Sequence, residues 1–186
     1  MKALRNTLSL GLLFLFSLNL TPPPAQGGME IIRLREVAPN IYRGSRPEDL
    51  RDLLQLKEMG IKTIYNLFTD RDEREWETRL AEAMGMRVVE VPINPWLPVS
   101  DEKVNFLLAE IQKTENQPVF LHCRHGKDRT GLVFGLFRVE VQGWDPREAY
   151  AEMREIGFTP WLVFLEHYYW RRTRAYRELD SASRAL

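Results

Sequence analysis

The sequence predicts an α/β domain in which helices flank a central, mostly parallel β-sheet. Short apolar runs that suit buried strands alternate along the chain with amphipathic stretches that suit helices. Capping and turn residues separate these segments, and strands that alternate with helices indicate βαβ units. With 186 residues, the chain has the length of one domain built around a single core.

The first half of the predicted domain contains four strands and two helices. Gly60 suits the end of the first helix, because glycine tolerates the left-handed conformation that is common there. Asp70 and Glu73 form a capping-box pattern at the start of the second helix. The predicted strands are residues 30–37, 41–43, 61–67 and 86–93, and the predicted helices are residues 47–59 and about 70–84.

The second half contains one predicted strand and four helices. Ser100 is a suitable N-cap for the first of these helices, and Asp145 followed by Pro146 suits the start of the third. The strand is residues 118–122, and the helices are residues 101–113, from about 130, from 145, and from Thr159-Pro160 to about 179. A polar loop follows the strand, at the edge of the sheet where sites form in parallel α/β folds.

The first 27 residues are predicted to be an export signal. Lys2 and Arg5 precede an apolar run at residues 8–20, and small residues near position 27 suit cleavage. The run is short for a membrane span, which needs roughly 20 apolar residues, although an uncleaved anchor is the alternative. A single folded domain would then occupy residues 28–186, with no stable membrane span, in a periplasmic or secreted protein.

Composition gives no sign of a nucleic-acid partner. Lys and Arg number 26 and balance 26 Asp and Glu, so any binding of anions must be local. The chain has one cysteine, Cys123, and therefore no internal disulfide. A lone thiol suits a reactive cysteine, and chance absence of disulfides is the alternative explanation.

The polar loop reads HCRHGKDRTG at residues 122–131 and predicts an anion-binding nucleophile. Cys123 lies between a strand end and a helix N-terminus, where backbone N–H groups lower a thiol pKa. Gly126 allows a tight turn in which successive N–H groups converge on one anion. Arg129 adds a planar fork that matches phosphate oxygens, and Thr130 can donate its hydroxyl to the sulfur. His122 is expected to brace the loop.

This arrangement predicts phosphoryl transfer without a metal or another cofactor. The sulfur can attack phosphorus in line while the surrounding donors stabilise the equatorial oxygens. A zinc site built on His122, Cys123 and His125 is the alternative, but it lacks a fourth ligand and the usual spacings. A rhodanese-like loop or a phosphate-binding module without turnover are further alternatives.

The loop matches the His-Cys-x5-Arg-Thr signature of protein tyrosine and dual-specificity phosphatases. The chain also resembles the bacterial and plant–fungal atypical dual-specificity group in IYRGSRP, GIKTIYNL and GWDPREAYAEMREIGF. The resemblance covers roughly residues 40–160. It implies a phosphatase fold of the dual-specificity type and a phosphocysteine intermediate on Cys123 that is held by Arg129.

Two carboxyl groups are candidates for the acid that protonates the leaving oxygen. Asp101 begins the helix after NPWLPVS, at the place that resembles the mobile acid loop of the family. Asp128 lies inside the loop next to Arg129, where DRT endings in phosphoinositide phosphatases carry an acid or water-orienting aspartate. Neither assignment is fixed, because the sequence does not match the Trp-Pro-Asp form of tyrosine-specific enzymes.

The loop is rich in cations, which favours a substrate with several phosphates. Arg124 and Lys127 accompany Arg129, and His125 adds charge when protonated. An inositol polyphosphate or a phosphoinositide is therefore the expected substrate, with a phosphoprotein as the alternative. Other candidates for a wider basic rim are Arg43, Arg46 and Arg71, although a solvated surface position suits each of them.

Overall fold

A five-stranded sheet is the centre of the fold in the computed structural model, which describes residues 31–176. Its strands are β1 (Arg35–Ala38), β2 (Ile41–Ser45), β3 (Thr63–Asn66), β4 (Arg87–Glu90) and β5 (Val119–Cys123), in the order β1-β2-β5-β3-β4. Only β1 is antiparallel to its neighbour. The predicted α/β class with a mostly parallel sheet is confirmed. The predicted export signal lies outside the described residues.

Six α-helices pack on the two faces of the sheet in the described part of the chain. They are α1 (Leu50–Glu58), α2 (Arg71–Ala83), α3 (Asp101–Glu110), α4 (Arg129–Glu140), α5 (Pro146–Ile156) and α6 (Val163–Arg172). Four of them begin at a side chain that accepts backbone N–H groups, namely Asp49, Asp70, Ser100 and Asp145. A short 3₁₀ helix, Thr114–Asn116, precedes β5.

Several predicted elements begin later than the sequence indicates, and the shift is largest for the first strand and the last helix. The first strand starts at Arg35, because Arg33 is left-handed (φ 61°) and the Leu34 amide closes a turn onto Ile31. The last helix starts at Val163 and not at Thr159-Pro160, since the Leu162 amide closes a turn onto Thr159. The end predicted for this helix, near residue 179, lies outside the described residues.

The central strand β5 is buried at all five positions and divides the core into two clusters. Leu121 contributes to the larger cluster with α3–α6, and Phe120 contributes to the smaller cluster with α1 and α2. Burial of such a side chain stabilises the fold by about 1.5–3 kcal/mol. Within residues 31–176, no helix combines the length and apolarity that a bilayer crossing requires.

Strand register brings distant residues together at one edge of the sheet. Cys123 at the end of β5 lies beside Ser45 of β2, and His122 lies beside Asn66 of β3. These carboxyl ends meet the N-terminus of α4, which is the usual place for a site in a parallel α/β sheet. The polar loop after β5 therefore lies where the sequence predicts a site.

Candidate active site

The loop between β5 and α4, residues 123–130, forms a tight turn that we call the cradle loop. Gly126 is left-handed (φ 67°), and a Cβ atom there would lie 2.4 Å from the backbone carbon of Gly44. The loop thus rests directly on the end of β2, and only glycine fits at this contact. Cys123 ends β5 and Arg129 begins α4, so both are fixed by regular elements.

Cys123 is buried, with 2% of its surface exposed, at the bottom of the cradle loop. Burial of the sulfur opposes ionisation, yet the pKa of the Cys123 thiol lies below its ordinary value. The Arg129 guanidinium, the Thr130 hydroxyl and amide, and the Gly126 amide together outweigh burial. The Thr130 hydroxyl has no other partner in the described part of the chain, so it is available to the sulfur.

The Arg129 guanidinium is largely buried but keeps its capacity to bind an anion. It makes one long hydrogen bond, 3.4 Å, to the Leu67 carbonyl and lies 5.5 Å from the centre of the Phe68 ring. Among residues 31–176, no carboxylate lies within ion-pair distance of it. Its N–H fork is therefore open to a phosphate in the cavity that Arg129 lines.

A buried polar chain braces the strand that carries the nucleophile. The His122 ring Nε2 lies 2.8 Å from Glu77 of α2, and the Asn66 amide donates to the other Glu77 oxygen at 2.8 Å. The Asn66 oxygen in turn accepts from the Phe68 amide. The chain joins β3, β5 and α2 directly behind the cradle loop. Sequence reasoning placed His122 as a brace but did not find Glu77 or Asn66.

Arg43 lies beneath the cradle loop and not on a basic rim. Only 1% of its surface is exposed, and its Nη2 donates to the Gly126 carbonyl at 2.8 Å. Burial lowers the pKa of Arg43 to about 10, and its guanidinium lies 5.4 Å from the centre of the Phe134 ring. The available signal was strand alternation, because Arg43 is two positions after the buried Ile41.

The other two arginines considered for a basic rim are held by acids of α2. Arg46 forms an ion pair with Glu73, and Arg71 forms an ion pair with Glu75 while remaining mostly exposed. Neither arginine lines the cavity over the cradle loop. The cations at that cavity come from the loop itself.

A cavity of about 500 Å³ opens over the cradle loop. Its lining includes the basic residues Arg124, His125, Lys127 and Arg129, the acid Asp128 and the apolar residues Phe68, Pro95, Trp96 and Leu162. The Lys127 ammonium donates to the Thr159 hydroxyl at 3.2 Å and lies 4.0 Å from Asp128. Burial, with Arg124 and Lys127 nearby, lowers the pKa of His125, so this ring adds little charge at neutral pH.

The structure brings one of the two candidate acids to the cavity. Asp128 lines it, and its Oδ1 accepts the Thr159 amide at 2.8 Å. Asp101 lies outside that cavity and pairs with Arg171 at 3.2 Å on α6. The Tyr168 hydroxyl, followed by the nearby arginines, lowers the pKa of Asp101, which favours its ionised form.

The described residues show no metal-binding group. Between residues 31 and 176, no three His, Cys, Asp or Glu side chains are placed to hold one ion. In particular, His122, Cys123 and His125 do not converge as the alternative zinc site requires.

Comparison with known proteins gives consistent matches over most of the domain. The dual specificity protein phosphatase TpbA of Pseudomonas aeruginosa is 35% identical over 139 residues, which are 74% of this chain and 61% of that protein. The inositol diphosphatase DSP4 of Arabidopsis thaliana is 31% identical over 56% of this chain and 53% of that protein. The chain thus spans about three fifths of the length of TpbA.

The solved structure of P. aeruginosa TpbA in complex with phosphotyrosine superimposes with a TM-score of 0.64. It is 29% identical, and the match covers 80% of this chain and 90% of that one. A family model described as the Swiss Army Knife protein, DSP-PTPase phosphatase domain, matches residues 33–173. The chain therefore belongs to the dual-specificity phosphatase family, in its Swiss Army Knife DSP-PTPase branch.

Proposed function

We propose that this protein hydrolyses phosphate monoesters through a phosphocysteine intermediate. The observation that carries the proposal is a buried thiol with a lowered pKa beside the guanidinium of Arg129, which has no carboxylate within ion-pair distance among residues 31–176. The Cys123 thiolate attacks phosphorus, the bond to the ester oxygen breaks, and an acid protonates that oxygen. Water then attacks phosphorus, the P–S bond breaks, and inorganic phosphate leaves with the thiolate restored.

Asp128 is the better placed of the two acids. The Thr159 amide fixes its Oδ1, and its Oδ2 lies 4.0 Å from the Lys127 ammonium, which also lines the cavity, whereas Asp101 pairs with Arg171 outside that cavity. Asp128→Asn and Asp101→Asn should be compared on phenyl phosphate and p-nitrophenyl phosphate. Loss of the acid should depress turnover of phenyl phosphate far more, because its leaving group needs a proton. If only Asp101→Asn has this effect, the assignment to Asp128 is wrong.

The proposed substrate is an inositol carrying several phosphates, either free or as a lipid headgroup. Arg124 is exposed at the cavity, and Lys127 lies beside it, so two cations accompany the one needed for catalysis. Hydrogen-bonded contacts to charged groups commonly contribute about 1.5–3 kcal/mol each. The name of the Arabidopsis relative, an inositol diphosphatase, supports the same class of substrate.

Phosphotyrosine on a protein is the second candidate substrate. Phe68, Trp96 and Leu162 give the cavity an apolar wall that could contact a phenyl ring. The solved complex of TpbA with phosphotyrosine supports this candidate. The cationic lining favours the inositol phosphate, and the apolar wall favours the phosphotyrosine.

One panel of substrates tests both the proposed chemistry and the proposed class of substrate. Hydrolysis of p-nitrophenyl phosphate with EDTA present, and its inhibition by vanadate, would support the chemistry. Absence of turnover there would instead indicate a binding module. The ratio of kcat/KM for inositol hexakisphosphate, a soluble phosphoinositide and a phosphotyrosine peptide then identifies the substrate class. A preference for the peptide would overturn the inositol assignment and leave the chemistry in place.

We also propose that residues 1–27 direct export. The support is the charge and apolar pattern of that segment, since it lies outside the described residues. The N-terminal sequence of the protein recovered from native cells, with its compartment, tests this. A cytosolic product that begins at Met1 would contradict it.

A further inference from the structure

The buried side chain of Arg43 is a cation in direct contact with the cradle loop. It comes from β2, 83 positions before the Gly126 carbonyl to which it donates at 2.8 Å. One further atom, Nε, has no partner among the described residues. A buried guanidinium with an unused donor is costly, so a purely structural role gives a poor account of it.

The contact fixes the orientation of one peptide in the cradle loop. The Gly126–Lys127 peptide is trans, and in a trans peptide the C=O and N–H point in opposite directions. Because Arg43 holds the Gly126 carbonyl towards the protein interior, the Lys127 N–H points the other way, towards the cavity. Gly126 has no side chain and a positive φ, so this peptide would otherwise rotate easily.

We propose that Arg43 is a positioning residue, which aims the Lys127 amide at the bound phosphate and supplies a buried positive charge beneath Cys123. The inference rests on the proposed function, because it assumes that the cradle loop binds an oxyanion. Besides Cys123, the charged groups that act electrostatically on Arg43 are Arg35, Glu152 and Arg138. None of these three residues lines the cavity. Arg43 connects β2 to the cradle loop through its hydrogen bond to the Gly126 carbonyl.

Two substitutions separate its charge from its geometry. Arg43→Met removes both, and Arg43→Lys restores the charge on a shorter chain without the planar fork. In Arg43→Met, kcat/KM for p-nitrophenyl phosphate should fall roughly 10- to 100-fold. This is at or below the loss seen when an oxyanion donor is removed directly, because the Lys127 amide remains and only its orientation is lost. Vanadate should bind about tenfold more weakly, as for the loss of one oriented hydrogen bond. Arg43→Lys should recover part of each loss.

The pH dependence of Cys123 alkylation reports the apparent pKa of the thiol. A general loss of rigidity in the fold is not expected to change this pKa, so the measurement isolates the effect of the Arg43 charge. Loss of a nearby positive charge disfavours the thiolate, so the apparent pKa in Arg43→Met should rise by about 0.5–1 unit. Arg43→Lys should return towards the wild-type value. Because removal of a buried cation can prevent folding, Arg43→Lys also serves as the second test, with thermal unfolding measured for both variants.

Arg138→Met is the matched control. Arg138 is also largely buried and donates to a backbone carbonyl, that of Val37 in β1, but it does not contact the cradle loop. Arg138→Met should lower the melting temperature and leave the thiol pKa and vanadate affinity unchanged. The inference is overturned if the folded Arg43 variants keep wild-type alkylation and vanadate binding, or if Arg138→Met reproduces their changes. Failure of the wild type to bind vanadate would count against the proposed function itself.

Discussion

The side chains at the floor of the cavity are buried and rigidly held, whereas those at its mouth are exposed to solvent. By the floor we mean the buried residues of the cradle loop and those beneath it. There, Cys123, Arg43 and Arg129 are each less than 10% exposed and are held by strands, a helix start or backbone contacts, and Arg129 lines the cavity. At the mouth, Arg124 is exposed, and Trp96, which also lines the cavity, exposes 67% of its surface. The floor has one possible geometry, while side chains at the mouth can change rotamer.

This difference separates the chemistry from the choice of substrate. Groups that must be aligned within a fraction of an ångström with phosphorus belong on a rigid base. Groups that contact the remainder of a substrate tolerate movement and solvent, and each contributes less. Substitutions at the floor should therefore affect all substrates alike, whereas those at the mouth should discriminate between them.

The largest effect is expected for Cys123→Ser at the floor. Turnover should fall by about 10⁴-fold or more on every substrate, because the nucleophile is lost. Vanadate binding should remain, since the cradle consists mainly of backbone N–H groups and Arg129. Single-turnover assays and vanadate titration measure the two properties. Strong activity in this variant would falsify the phosphocysteine mechanism.

Arg129→Lys should be the next largest effect, again independent of substrate. The lysine keeps the charge but loses the planar fork, so we expect a fall in kcat/KM of roughly 10²–10³-fold. Vanadate affinity should fall with it, which distinguishes this variant from Cys123→Ser. An effect confined to polyphosphorylated substrates would show that Arg129 binds an additional phosphate and not the one that reacts.

Glu77→Ala tests the support behind the floor. It leaves the His122 ring and the Asn66 amide without their buried acceptor, at a cost of about 1–3 kcal/mol for each orphaned group. Urea unfolding measures the loss, and Glu75→Ala on the exposed face of α2 is the control. Equal stability of the two variants would show that the buried chain contributes nothing.

Lys127→Gln should give a smaller and selective effect at the mouth. The second phosphate of an inositol polyphosphate loses a partner, whereas p-nitrophenyl phosphate has no second phosphate. We expect a selective loss of roughly five- to a hundredfold in kcat/KM, which weakens as salt is added. Equal losses on both substrates would mean that Lys127 shapes the cradle loop through Thr159.

The smallest effect is expected for Trp161→Ala. The side chain is 79% exposed in the turn between α5 and α6, so stability should change by no more than about 0.5 kcal/mol. Chemical unfolding and the substrate panel together measure the effect. Trp161 is not among the residues that line the cavity, so a large loss of turnover on p-nitrophenyl phosphate would contradict the restriction of the chemistry to the floor.

Much of the fold was predictable because its signals are local. The caps Asp70 and Ser100 accept hydrogen bonds from amides that are three residues away in the sequence. The contacts that define the site are not local: Arg43 reaches Gly126 over 83 positions, and Asp101 meets Arg171 over 70. The expectation of a surface position for Arg43 was wrong because its partner is distant in the chain, although strand alternation after Ile41 indicates burial. Sequence pattern also left the two acids undecided, since only tertiary packing separates them.

The sheet order has a consequence for the order in which the protein is made. Strand β5 fills the gap between β2 and β3, although all four other strands precede it in the chain. Until residues 119–123 are synthesised, the chain can form only two separate strand pairs, and closure then waits on long-range contacts. The strand that closes the sheet ends in Cys123. A nascent chain therefore carries an ordinary thiol until the sheet closes and the residues that follow, Gly126, Arg129 and Thr130, fold around the sulfur.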